Sequence, residues 1–86
     1  MTTLSSLSIG DSGRVVRLDA GEQSYRARLL SMGVTPGIDF TVVRCAPLGD
    51  PIEIEIRGYR LSLRKRESEI VIVETDADIG SEAAKE

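Results

Sequence analysis

The 86-residue chain has no histidine, no tryptophan and a single cysteine. Each shortage removes a class of chemistry. Without histidine there is no imidazole to act as a base near neutral pH, and the commonest metal ligand is missing. Cys45 alone cannot close an internal disulfide, and no Cys-x-x-Cys or Glu-x-x-His spacing exists to preassemble a transition-metal site. Aromatic residues make up 3% of the chain. The core must therefore be built from Val, Ile and Leu, and the stacking platform of a single-strand nucleic-acid binder is largely absent. No apolar run approaches the roughly 20 residues that cross a bilayer. No charged segment followed by an apolar one opens the chain, so secretion is not expected. With the lone cysteine, this leads us to expect a protein of a reducing cytoplasm. A phosphate cradle of the Gly-x-x-x-x-Gly-Lys-Ser type is also missing, so the chain should not bind a nucleoside triphosphate.

What is present fits one small domain. Such a chain buries only roughly 60% of the surface its unfolded form exposes, so its stability will be modest. The net charge is −3, and it is unevenly placed. Residues 1–74 carry ten acidic and ten basic side chains, so the whole excess falls in residues 75–86. That last segment shows no period and is rich in Asp, Glu, Ala and Ser, which predicts a disordered acidic tail. We expect the folded domain to be residues 1–74.

The organising stretch is Leu29-Leu30-Ser31-Met32-Gly33-Val34-Thr35-Pro36-Gly37. It reads as a helix end passing into a strand. Gly33 stands where a helix terminus needs a left-handed residue. Pro36-Gly37 supplies a turn. The helix should start near residues 22–24 and bury Ala27, Leu29, Leu30 and Met32. Leu4 and Leu7, three apart, should lie on the core. Residues 14–18, 40–45, 52–57, 60–63 and 70–73 read as strands. Ile52-Glu53-Ile54-Glu55-Ile56-Arg57 is the clearest, alternating apolar and charged throughout. Gly58-Tyr59 should make a tight connection. Residues 64–69 read as a charged turn or one helical turn. The fold class is mainly β, a small bent barrel of about five strands with a short α-helix between the first two. An SH3-like barrel fits this order, and an OB-fold is its rival.

At this point the motif pair matters. Leu29 to Gly37 as written above, then Ala46-Pro47-Leu48-Gly49-Asp50-Pro51-Ile52, then Leu61-Ser62-Leu63-Arg64, with Leu4, Leu7 and Gly10 ahead of them, resembles the FeoA family. These are small cytoplasmic proteins of bacterial ferrous iron transport. The resemblance implies an SH3-like barrel related to the C-terminal domain of iron-dependent repressors of the diphtheria toxin repressor type. It implies a noncatalytic accessory of FeoB, a large membrane permease with a cytoplasmic nucleotide-binding domain. The chain would be cytoplasmic, peripheral to the inner membrane through FeoB and not inserted in it.

No residue presents itself as catalytic: Asp50 has no basic partner arranged with it, and Ser24 and Ser31 have no base nearby. No cofactor and no metal ligand set is expected. The one metal option is a pair of carboxylates, Glu53 and Glu55, on one strand face, where alternation more often means a solvated surface. Arg57, Arg60, Arg64, Lys65 and Arg66 form a basic run that could meet an acidic partner surface or RNA, with Glu67 and Glu69 diluting it. For partner contact we single out Leu30, Met32, Val34, Pro47, Leu48 and Asp50, as an apolar groove between the helix and the loop at residues 47–51. Gly33, Pro36, Gly37, Gly49 and Pro51 are assigned as structural turns. The second reading is a general binding module, serving an iron-responsive repressor or RNA.

Overall fold

A computed structural model of the chain describes residues 1–19, 23–48 and 50–75. The elements are β1 (Thr2–Thr3), a 3-10 turn (Leu4–Ser6), β2 (Ser12–Leu18), α1 (Gln23–Ser31), β3 (Asp39–Cys45), β4 (Ile52–Ile56), β5 (Tyr59–Leu63), α2 (Lys65–Ser68) and β6 (Val71–Thr75). The strands form one antiparallel sheet in the order β1-β6-β2-β3-β4-β5. The mainly β expectation holds. The sheet has six strands among the described residues, one more than expected, because Thr2 and Thr3 pair with Val73 and Ile72. The helix consequently lies between the second and third strands. The domain boundary expected after Glu74 falls inside β6, whose Thr75 pairs with Gly13. The proposed disordered tail, beyond Thr75, lies outside the described residues.

Curvature comes from two irregularities that the sequence carries in plain view. The pairing of β2 with β6 shifts between Val15 and Arg17, and that of β3 with β4 shifts between Val42 and Arg44. Each shift falls at a pair of adjacent valines, Val15-Val16 and Val42-Val43. Adjacent apolar residues break strict alternation, and an extra residue at that point bends the strand and raises its twist. Val15 and Val42 point into the core, whereas Val16 and Val43 are only half-buried. Close strand packing also explains Gly13, where a Cβ would collide with the backbone carbonyl of Glu74.

The core is aliphatic, as the scarcity of aromatics requires. Ile52, Ile54 and Ile56 from β4 meet Leu63, Val71 and Val73 from β5 and β6, with Phe40 beside them. Leu4 is fully buried and Leu7 packs against the cluster. The expected apolar stripe of α1 is narrower than the sequence suggested. Only Leu29 is buried on that helix, Met32 just beyond its end is half-buried, and Ala27 and Leu30 are exposed. A helix held by one anchor depends on its end for its placement.

That end is a Schellman motif. The Val34 N–H donates to the Leu29 carbonyl at 3.0 Å, and the Gly33 N–H donates to the Leu30 carbonyl at 3.1 Å. Gly33 has φ +93°, and Tyr59 Oη lies 2.5 Å from where its Cβ would stand. The Tyr59 hydroxyl instead donates to the Met32 carbonyl at 2.8 Å, tying the helix end to β5. Residues 35–38 then make a turn closed by Ile38 N–H to Thr35 carbonyl at 3.2 Å, with Pro36 at the second position and Gly37 at φ +92° in the third. This is the residue pattern of a type II turn. The β4–β5 hairpin corrects one expectation. Its two connecting residues are Arg57 and Gly58, both at positive φ, and Tyr59 already belongs to β5.

A cationic groove between the helix and the proline loop

The six partner-contact candidates differ in how far they face solvent. Leu30 and Leu48 are open to solvent, at 43% and 86% exposure. Pro47 and Asp50 are exposed, while Met32 is half-buried against the core. Val34 has 0% exposure. It is the apolar residue that follows the helix-terminal glycine, and it is buried in the core together with Leu29. Val34 therefore cannot be presented to a partner, which corrects its place in the proposed set. Of the residues assigned to turns, Gly33 and Gly37 have positive φ, and Pro36 lies in the turn closed by Ile38 and Thr35. Pro51 follows a cis peptide bond from Asp50. Gly49 lies outside the described residues.

A groove does run between α1 and the proline loop, but its chemistry differs from the apolar one expected. It consists of two adjoining hollows of about 250 and 360 Å³. One is lined by Tyr25, Asp50, Arg64 and Arg66, the other by Arg28, Asp50, Pro51, Ser62 and Arg64. Asp50 and Arg64 belong to both, so the two hollows are neighbours. Leu30, Met32 and Val34 line neither. Pro47 instead borders a separate hollow of about 380 Å³ with Arg44, Cys45, Ala46, Pro51 and Glu53. Cys45 is half-buried there as a free thiol, its Sγ 3.6 Å from the Ala46 carbonyl oxygen.

The groove is held by a residue that the sequence reading treated as surface charge. Glu67 is 1% exposed. Its Oε1 accepts the Arg64 N–H at 2.9 Å, the reach-back bond of a helix-capping glutamate. Its Oε2 lies 3.0 Å from Arg28 Nε, while the Arg28 side chain remains 57% exposed. A buried carboxylate thus anchors an arginine that faces water. Opposite, Asp50 Oδ1 accepts the Lys65 N–H at 3.2 Å and ties the loop to the start of α2. The signal for Glu67 was present in the sequence as the spacing from Arg64 to Glu67. Its burial was not, because that depends on Arg28, far away in the chain.

The basic run is divided by the fold. Arg57 sits on the hairpin turn, and Arg60 on β5 stands 3.9 Å from Glu53 and 3.7 Å from Glu55. The pair of carboxylates weighed as a metal option thus flanks an arginine. Only Arg64 and Arg66 of the run reach the groove. Among the described residues, no three His, Cys, Asp or Glu side chains gather in a way that could hold a metal ion. No described helix is long and apolar enough to cross a membrane.

Comparison with known proteins agrees with the resemblance. A Porphyromonas gingivalis protein described as a fusion of Fe(2+) transport protein A with the Fe(2+) transporter FeoB is 37% identical over 91 residues, covering 94% of this chain. The chain spans only 11% of that relative's length. The solution structure of FeoA protein from Chlorobium tepidum is 40% identical with a TM-score of 0.75, covering 85% of this chain and 69% of the other. The crystal structure of Stenotrophomonas maltophilia FeoA, a prokaryotic SH3-domain protein solved with zinc, is 26% identical with a TM-score of 0.74, covering 86% of this chain and 91% of the other. A manganese-dependent transcriptional repressor superposes at a TM-score of 0.80 over 86% of this chain and 40% of its own, at 18% identity, a likeness of fold. The fold is thus SH3-like and shared with a metal-dependent repressor. With the FeoA domain family matching residues 2–75, this chain belongs to the FeoA family.

Proposed function

We propose that this chain is a noncatalytic accessory of bacterial ferrous iron uptake that works by contacting the cytoplasmic part of a FeoB permease. The observation that carries this is the Porphyromonas gingivalis relative, in which an A-type protein and FeoB share one polypeptide. Fusion keeps two parts at high effective concentration, which benefits parts that meet in function. The working unit is the barrel, taken as residues 1–74 from the sequence and extended by Thr75 in β6. It acts in the cytoplasm and reaches the inner membrane through its partner. Leu30, Leu48, Pro47 and Asp50, all exposed, are its contact residues, together with half-buried Met32.

A module without catalytic groups influences a permease by preferring one of its conformations, and it shifts the equilibrium by its difference in affinity for the two. The test is a calorimetric titration of the chain against the cytoplasmic part of FeoB from the same genome. Saturable binding is expected, weakened by Leu48→Asp with the fold unchanged. Absence of binding, with iron uptake unaltered on deletion of the gene, refutes the reading. A nucleic-acid role is less well supported, since the fold scatters the basic run over a turn, a strand face and the groove.

A further inference from the structure

We infer that the groove between α1 and the proline loop is a docking site for an acidic peptide segment of the partner, one that presents two or more carboxylates in succession. The inference rests on the accessory reading for the partner's identity alone; the ligand chemistry comes from the groove itself.

Among the described residues, three arginines, Arg28, Arg64 and Arg66, line it with one carboxylate, Asp50. Arg28 is anchored through its Nε by buried Glu67. An arginine whose position is set in advance loses less freedom when it binds an anion. Arg64 and Arg66 form no ion pair among the described residues, as is also true of Arg17, Arg26, Arg44 and Arg57, but they alone of these six line the groove. Guanidinium groups present a planar fork that matches a carboxylate.

The arrangement favours a peptide over a compact phosphate. The cations are strung along two hollows: Arg66 belongs to the first, Arg28 to the second, and Arg64 to both. Two of the backbone donors at the start of α2 that would serve a phosphate are already taken: Arg64 N–H by Glu67 and Lys65 N–H by Asp50. Asp50 within the lining repels a dense anion but can accept an N–H from a passing peptide. Tyr25 and Ser62 add hydroxyl groups able to donate or accept.

The probe is a labelled decapeptide of alternating Glu and Ser, followed by fluorescence anisotropy at low salt. Arg64→Glu and Arg66→Glu should each weaken binding at least tenfold. Arg57→Glu, at the opposite end of the β4–β5 hairpin, should change it less than twofold. Circular dichroism checks the fold of each variant, and exposed Arg66 keeps the test valid should replacement of Arg64 disturb α2. An equal loss with Arg57→Glu, no binding by the unaltered chain, or displacement of the peptide by equimolar inorganic phosphate overturns the inference. Parallel titration with the cytoplasmic part of FeoB separates the two ideas. FeoB binding that ignores Arg64→Glu and Arg66→Glu defeats the groove and leaves the accessory role standing. Peptide binding without FeoB binding supports the groove and defeats the role.

Discussion

Replacing Glu67 separates the two tasks of its carboxylate. Glu67→Gln keeps an oxygen for the Arg64 N–H but removes the charge facing Arg28. Glu67→Ala removes both. The capping bond is worth about 1 kcal/mol. The ion pair to Arg28 adds about 0.5–1 kcal/mol, since more than half of the arginine remains in water. Lost packing of the buried side-chain methylenes brings the alanine variant to about 2–3 kcal/mol in total. In a domain of this size each kcal/mol moves the midpoint by about 4–8 °C, so Glu67→Ala should lower Tm by about 10–20 °C. Glu67→Gln should lower it by about 4–8 °C, on the same scale. Arg28→Ala sharpens the test, because it leaves a carboxylate that is 1% exposed without its counter-charge. That should cost at least about 2 kcal/mol when Glu67 is present and under about 0.5 kcal/mol in the Glu67→Gln background. The assay is urea and thermal unfolding followed by far-ultraviolet circular dichroism, with the double-mutant cycle built from the four midpoints. Equal cost of Arg28→Ala in both backgrounds, or Glu67→Ala within about 0.5 kcal/mol of the parent, would refute the reasoning.

Further outcomes follow from other positions. Gly33→Ala should cost about 1–2 kcal/mol through its left-handed backbone alone, and more from the approach of Tyr59. Tyr59→Phe should cost about 1 kcal/mol through loss of the bond to Met32, and in combination it should relieve part of the Gly33→Ala penalty, which thermal melts of the pair would show. Arg57→Asn should stabilise the β4–β5 hairpin by about 0.5–1 kcal/mol, because this two-residue turn needs positive φ at both positions and asparagine tolerates it better; no gain in the urea midpoint would count against the turn assignment. Val34→Asp should abolish folding whereas Leu48→Asp should leave Tm unchanged, so a chain that tolerates the first and not the second contradicts the burial pattern.

The parts of the fold that sequence reading captured have strong local signatures. Alternation over residues 52–57 gave β4, and Gly33 with Pro36-Gly37 gave the helix end and its turn. The parts it missed are set by distant partners. Thr2–Thr3 is too short for any period, and it becomes a strand only because β6 lies beside it. Leu30 fits a helical stripe as well as Leu29 does, but the sheet meets only one of them. Of the candidate groove, the sequence pointed to the two walls and not to their chemistry. A hollow does lie between the helix and the proline loop, yet it is lined by charge. A local pattern shows which residues are charged. It cannot show that Glu67 goes inward while Arg28 and Arg64 border the opening.

The position of β6 has a consequence for how the chain reaches its native state. The last strand among the described residues is inserted between β1 and β2, the first two. Its pairings join the two ends of the domain, which gives a high contact order and slows folding relative to a simple meander. During synthesis β1 and β2 emerge long before the strand that separates them and wait as unpaired edges. The sheet can close only after Thr75 has left the ribosome, so a stop before Val71 should yield an aggregating fragment and not a smaller folded barrel.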